Sequence, residues 1–336
     1  MGKTLKRCRR VGIDITKRCN WRCAMCFYRW NPEFNKPYDV PLTDLQRQIT
    51  SAKQRGCDHV VAVGWGEPTL YSHLPELVAW LKAVGMTSSA IVNGMVSPER
   101  AEELFNVGLN HFHVSVHGLG DTLNKIAGVD VAAKYQERFK QYLKDSKRPW
   151  RTNTSIQQDN YKELASIVTN IIDHGAFHVV LLGFLPHYEW RNRSTLVAVH
   201  PADLRPYLQQ AIDICLARNT YVTLRYHPFC HIDKKYWPYI TNARYVLYDP
   251  WEWDYGNCGK NDNDLWRAAV EMGNSVAIHG APCSDCTAQL HCGGWNKTYA
   301  GAFQGAGLRA ITDLAVLREP GAYFDENPVN RLLGYV

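Results

Sequence analysis

No apolar run in these 336 residues approaches the roughly 18–20 residues that a membrane span requires. The basic N-terminus, MGKTLKRCRR, also lacks the apolar core of a signal peptide, so a cytoplasmic protein is expected. Charge of one sign is not in large excess. A formal +6 over this length assigns no polyanionic partner, although Lys3, Lys6, Arg7, Arg9 and Arg10 keep a nucleic acid as a lesser expectation. There is no fixed-period repeat and no low-complexity tract, which argues against a solenoid. The cysteines do not come in an even set either. Eleven of them in a chain without a leader argue against a disulfide framework and for metal ligation or catalysis. The remaining composition, 46% hydrophobic and 21% charged, is that of an ordinary globular protein.

What is present is an alternation of short apolar runs and amphipathic stretches. Strands are expected at Val11–Ile15, His59–Val63, Ser88–Val92, His111–Val116, Arg151–Ile156 and Phe177–Leu182. Helices are expected to about Arg55, over Leu74–Val84, Ser97–Val107, Val131–Asp145, Tyr161–His174 and Ala202–Arg218, with Pro98 suited to a first turn. Strands alternating with helices imply a parallel sheet built from right-handed crossovers. Six units are too few to close an eight-stranded barrel, so the expected fold is α/β, a partial (β/α)6 TIM-type barrel. Functional groups on such a sheet collect at the C-terminal strand ends. A basic tail over 1–10 precedes the barrel at 11–220. The alternation stops near 219–226, a small C-terminal domain is expected over 221–310, and a tail over 311–336 follows.

Cysteines are concentrated at both ends of this plan. Cys19, Cys23 and Cys26 form a CxxxCxxC loop after the first strand. Thiolates are the ligands of iron–sulfur clusters and of structural zinc. A closed zinc site needs four ligands, and no fourth cysteine or histidine stands at a suitable local spacing. Three thiolates on a four-iron cluster would leave one iron open. A zinc site completed by a distant residue and three unrelated thiols are the alternatives.

This loop resembles that of the radical S-adenosylmethionine (radical SAM) superfamily, and Gly64-Trp65-Gly66-Glu67-Pro68 at the end of the second strand is similar to the family's GGEP segment. The resemblance implies a [4Fe–4S] cluster on Cys19, Cys23 and Cys26, with SAM on its open iron. Gly64, Trp65, Gly66 and Glu67 would hold the methionine ammonium of SAM, since glycines allow close carbonyl approach and a carboxylate offsets the charge. Trp65 departs from the usual small residue. Ser115-Val-His-Gly118 resembles the family's SxDG segment with His117 in place of aspartate, which implies a ribose contact for Ser115 and the same surface for Asn153 and Ser155. The position beside the last cluster cysteine, commonly an aromatic near the adenine, is Met25, with Phe27 and Tyr28 just after it. The implied activity is reductive cleavage of SAM to a 5′-deoxyadenosyl radical, followed by hydrogen abstraction from an unactivated C–H bond.

Near the other end, Cys283-x2-Cys286-x5-Cys292 resembles the auxiliary-cluster extension of that superfamily, the SPASM domain or its shorter twitch form. The full pattern has a further cysteine where this chain has Asn296, so one auxiliary [4Fe–4S] cluster is expected, on Cys258, Cys283, Cys286 and Cys292. A structural zinc ribbon is the alternative. Cys230 lies outside both sets and is a candidate hydrogen-atom donor, a packed small hydrophobe or a substitute auxiliary ligand. Cys57 and Cys215 are expected to be buried, and His111 and His113 to be structural. Glu189, Arg191 and Arg193 are candidates to face substrate.

The substrate expected from the resemblance is a peptide or a sugar or nucleoside intermediate. A nucleic-acid base is the lesser expectation, and an electron donor such as flavodoxin or ferredoxin is implied. A first cluster cysteine at position 19 leaves no room for a separate leader-peptide recognition domain ahead of it, which shifts weight towards a small molecule or a peptide held by the barrel. A non-catalytic zinc or iron–sulfur protein is the alternative of another class.

Overall fold

The computed structural model describes residues 10–23, 25–26, 37–54, 56–63, 65–183, 198–240, 277–289, 292 and 294–312. Gly64, Phe27, Tyr28, Glu189, Arg191, Arg193 and Cys258 lie outside the described residues.

Seven strands run in sequential, wholly parallel order: β1 Arg10–Asp14, β2 His59–Val63, β3 Thr87–Val92, β4 His111–Ser115, β5 Trp150–Ile156, β6 His178–Gly183 and β7 Tyr221–Arg225. Between them lie α1 Leu42–Gln54, α2 Leu74–Ala83, α3 Pro98–Val107, α4 Gly120–Ala127, α5 Ala132–Asp145, α6 Leu164–Asp173 and α7 Pro201–Ala217. The sheet curls into a partial barrel that stays open. The six expected strands are all present. The seventh, β7, pairs with β6 in register His178↔Tyr221 and carries the sheet to residue 225. Its sequence, Tyr-Val-Thr-Leu-Arg, alternates as a strand should, but only short 3-10 turns at Phe229–His231 and Lys234–Tyr239 come directly after it, not the α-helix that would mark a further unit.

The helices lie against one face of the sheet because their apolar residues recur at three and four. Leu45, Ile49 and Ala52 of α1 and Leu164, Ile167, Val168 and Ile171 of α6 are buried there with Val11 and Ile13 of β1, Phe112 and Val114 of β4, and Leu181 of β6. Each of the larger of these side chains contributes roughly 1.5–3 kcal/mol by leaving water. Helix ends follow local chemistry: Ser97 caps α3 by accepting from Arg100 N at 3.2 Å, with Pro98 in the first turn.

The other face lines the barrel interior. At its N-terminal end it is a layer of histidine and arginine. His59 bonds Thr87 Oγ1 and Ser89 Oγ at 2.8 Å each, His111 Nε2 lies 2.9 Å from His113 Nε2, Arg151 Nε donates to His113 Nε2 at 2.6 Å, and His178 Nε2 lies 2.8 Å from Thr223 Oγ1. Burial first, and the nearby Arg151 and Arg10 second, hold His111, His113 and His178 well below the ordinary imidazole range. His111 and His113 are therefore neutral packing groups, as expected of them. Above this layer Val61, Val63 and Ile91 form a small apolar cluster. Cys215 is buried on α7, and Cys57 is half-buried.

C-terminal to the barrel, β8 Ala277–Ile278 and β9 Trp295–Asn296 form an antiparallel pair followed by the short α8, Lys297–Ala302. No helix among the described residues is long and apolar enough to cross a membrane.

Candidate functional site: two cysteine centres on one barrel

The front loop leaves β1 at Asp14 and is tied down on both flanks. On one side Arg18 binds Asp39 through Nε at 3.1 Å and Nη2 at 2.5 Å, and the same Nη2 donates to Leu70 O at 2.5 Å. Thr16 Oγ1 adds a bond to Asp39 Oδ1 at 2.6 Å. On the other side Trp21 is buried against Leu123, Ala127 and Ala132, and Arg22 N donates to Ala127 O at 2.8 Å. Gly128, at φ 63°, lets the end of α4 approach this closely: a Cβ there would sit 2.7 Å from Arg22 O. Sequence patterning did not yield α4. Its signal is present as glycines at 118, 120 and 128 bracketing an apolar Leu123-x2-Ile126-Ala127 stripe.

Between these anchors Cys19 is exposed and Cys23 and Cys26 are half-buried. Cys26 N donates to Cys23 O at 3.1 Å, and Trp21 N lies 3.5 Å from Cys19 Sγ. The Gly66–Glu67 segment packs directly on this loop. Glu67 N donates to Arg18 O at 2.7 Å, and a Cβ on Gly66 would meet Arg18 O at 2.0 Å. Only glycine fits there. Trp65 stands under Lys17, whose Nζ lies 4.6 Å from the ring centroid, so the residue in the place of a small one carries a cation–π contact to the loop.

Glu67 is buried, and burial lifts its carboxyl to about 6 against the pull of three hydrogen bonds. Oε1 accepts from Thr69 N at 3.1 Å and Thr69 Oγ1 at 2.7 Å, and Oε2 accepts from Asn93 N at 2.7 Å. Asn93 in turn donates through Nδ2 to Asn20 Oδ1 of the cysteine loop at 2.6 Å. One carboxylate thus joins the ends of β2 and β3 beneath the loop. Sequence reasoning missed Asn93 and Asn20. An asparagine directly after a buried strand, in Ile-Val-Asn-Gly, is the signal that marks the first.

Ser115 and Asn153 are register partners on β4 and β5, and Ser155 follows on the same face; all three are half-exposed. His117 is buried, and Nδ1 accepts from Ser155 N at 3.1 Å. Desolvation pushes it down to about 4, so it is neutral. In the place of an aspartate it acts as a backbone acceptor that pins β4 to β5, while Asn160 Nδ2 donates to His117 O at 2.7 Å. Met25 is half-buried between Gln157, whose Nε2 lies 3.4 Å from Sδ, and the cluster of Ala198, Trp295 and Tyr299.

Asp14 was also overlooked. It ends β1 on the interior face it shares with Arg10, and neither carboxylate oxygen has a hydrogen-bond partner among the described residues. Burial lifts it to about 7, moderated by Lys17. The acidic position in Val-Gly-Ile-Asp-Ile could have revealed it.

At the back centre Cys230, Cys283, Cys286 and Cys292 line one small cavity together with Phe229, His279, Arg309 and Ile311. The three clustered cysteines are brought together as expected, and Cys230 joins them. Burial pushes Cys292 up to about 12 and raises Cys230 and Cys283. Among the described residues no three of these side chains stand close enough to hold a single metal ion. A four-iron cluster, whose thiolates bind separate irons, sets its ligands wider than the zinc tetrahedron does. The front set fits such a cluster as well: three soft thiols, no fourth cysteine or histidine beside them among the described residues, and a glycine cradle at Gly66 that any side chain would fill.

Residues 13–169 match the Radical SAM superfamily model. A probable GTP 3′,8-cyclase of Sulfolobus acidocaldarius is 29% identical over 158 residues, 46% of this chain and 50% of that protein. The PqqA peptide cyclase of Bradyrhizobium diazoefficiens is 27% identical over 192 residues, 56% of this chain and 50% of that protein. The chain thus spans about half the length of these curated relatives. Among solved structures, Streptococcus suis SuiB bound to S-adenosylmethionine covers 94% of this chain and 78% of its own at TM-score 0.63 and 15% identity. The protein anSMEcpe with bound AdoMet covers 97% and 99% at TM-score 0.58 and 13% identity. Both share the fold.

Proposed function

The chain carries a radical SAM superfamily domain over residues 13–169, and from that premise we propose that it is an enzyme that cleaves SAM reductively and abstracts a hydrogen atom from its substrate. The observation that carries this reading is the cysteine loop seated on Gly66 and Glu67 at the C-terminal ends of β1 and β2. Bound there, a [4Fe–4S] cluster and SAM supply an electron and a 5′-deoxyadenosyl radical.

The chain's own residues do the rest. Cys19, Cys23 and Cys26 would hold the cluster by their thiolates. The Gly66 backbone and Glu67 receive the methionine ammonium, and Glu67 keeps lone pairs beyond the three bonds it accepts. Ser115 and Asn153 face the ribose. Met25, backed by the Trp295 and Tyr299 cluster, gives an apolar wall in the place of a stacking aromatic. His117, neutral and bonded to β5, positions Ser155 without competing for a proton. A reductant of the flavodoxin or ferredoxin type is required, and a second cluster occupies the back centre.

A peptide substrate is favoured by the Asp14 carboxylate at the end of β1, whose oxygens are buried and have no hydrogen-bond partner among the described residues. Asp14 suits an amide or ammonium donor. The nucleotide reading rests on the curated relatives named as probable GTP 3′,8-cyclases. Anaerobically reconstituted protein should hold about eight irons in two four-iron clusters and form 5′-deoxyadenosine from SAM and reductant. Zinc without SAM cleavage sinks the proposal. GTP that stimulates turnover shifts the substrate to a nucleotide.

A further inference from the structure

Cys230 is not on the C-terminal segment at all. It sits five residues after β7, in a short turn at Phe229–His231 that packs on the barrel. Two guanidinium groups hold that turn by its carbonyls. Arg205 of α7 donates through Nη2 to Cys230 O at 3.2 Å and through Nε to His231 O at 3.0 Å, and Arg309 donates through Nε to Cys230 O at 3.2 Å. One arginine comes from the barrel and one from the far side of the back cysteines, so the clamp spans the junction.

Two of the four sulfurs share a second property: Ile311 N donates to Cys286 Sγ at 3.3 Å and Gly294 N to Cys292 Sγ at 3.4 Å. A neutral thiol sulfur is only a weak acceptor of such an N–H. Thiolates bound to iron do use it: hydrogen bonds to cluster sulfurs offset their charge and set the potential.

We infer that Cys230 is the fourth thiolate of the back centre, so that Cys230, Cys283, Cys286 and Cys292 enclose one iron–sulfur cluster that staples the C-terminal segment to the barrel. This rests on the proposed reading of the back centre as a cluster site, and it replaces the expected Cys258. It leaves no iron at the back open to a substrate atom and no thiol at 230 free to give up hydrogen. Arg205 and Arg309 are positioning residues for the Cys230 ligand.

The test uses the full chain, isolated anaerobically, with the front triad replaced (Cys19→Ala, Cys23→Ala, Cys26→Ala), so that only the back centre can hold iron. That protein should keep about four irons per chain and an electron paramagnetic resonance signal on reduction. Adding Cys258→Ala should leave both unchanged, whereas adding Cys230→Ala should abolish both. Cys230→Ser, which keeps an oxygen ligand and the size of the side chain, serves if the alanine variant does not fold. It should retain a cluster with altered g-values and a lowered potential. A cluster lost with Cys258→Ala and unchanged by Cys230→Ser overturns the assignment, as does one zinc in place of iron. Arg309→Leu should move the back-centre potential while the iron count stays. Failure of SAM cleavage in the unmodified chain would refute the proposed function and leave these iron counts untouched.

Discussion

The front cysteines come from eight consecutive residues of one loop, whereas the back cavity draws its thiols from a turn after β7 and from a segment some fifty residues further on. The front loop is held entirely by backbone and neighbouring side chains: Arg18 on Asp39, Trp21 on α4, Gly66 on Arg18 O. Its anchors are all supplied by the chain itself, and on the proposed reading three ligands leave a position for a second molecule. Among the described residues the back centre has little regular structure of its own beyond a pair of two-residue strands and a short helix. If the proposed cluster binds there, a segment with so small a core would depend on its ligands for cohesion, and metal binding and local folding would become one event. A preformed open site suits catalysis and a metal-formed closed one suits a staple.

The largest expected effect separates the two centres. Cys19→Ala, Cys23→Ala or Cys26→Ala should lower 5′-deoxyadenosine formation by at least about a thousandfold, some 4 kcal/mol of barrier. Cys283→Ala should leave SAM cleavage measurable while product formation stops. Chromatographic assay of both compounds decides it, and equal losses from both centres would break the comparison. Gly66→Ala comes next. A Cβ 2.0 Å from Arg18 O must displace the loop, so SAM binding by titration calorimetry should fall at least about tenfold, or about 1.4 kcal/mol, with the back-centre iron retained.

Asp14 tests how far the front site is held ready at a cost. Its carboxyl titrates near 7 in the folded chain against 3.8 ordinarily, so the folded state binds the extra proton and stability falls as pH rises from about 4 through 7. Asp14→Asn removes that loss and should stabilise the apo-protein at pH 8 by about 2–4 kcal/mol in urea unfolding, while turnover drops. Unchanged turnover would remove Asp14 from the substrate surface.

The histidines act in the opposite sense. His117, held down to about 4, is neutral in the fold, so its contribution is complete above about 6.5 and is lost as pH falls. Near pH 5 it alone should cost roughly 2 kcal/mol, and His111, His113 and His178 add to it. The urea midpoint should therefore fall steeply from pH 7 to 5. A flat profile would show that the interior layer accepts protons freely. The smallest effect is Trp65→Gly, which removes the Lys17 contact and should lower apo stability by about 0.5–1 kcal/mol in the same assay.

Much of the front centre was legible because its parts are local. The CxxxCxxC spacing, the strand before it and the Gly-x-Gly-Glu segment are each contiguous, and six of the seven strands announced themselves by apolar runs between helical patterns. β7 was missed because no helix after it completes a unit, and α4 because eight residues between glycines look like a loop. His117 stands in the place of the family's aspartate, and that its Nδ1 accepts from Ser155 N follows from the pairing of β4 with β5 rather than from the residue itself.

The sequence alone determined that soft ligands gather after the first strand of a parallel α/β sheet, because strand periodicity and ligand spacing are properties of short chain segments. Which distant groups meet was decided in three dimensions. Asn93 reaches Asn20 across 73 residues, and Cys230 O receives Arg309 across 79. The curl of the sheet, set by helices packed on one face only, brings those partners to the same end of the barrel. No local pattern encodes that convergence.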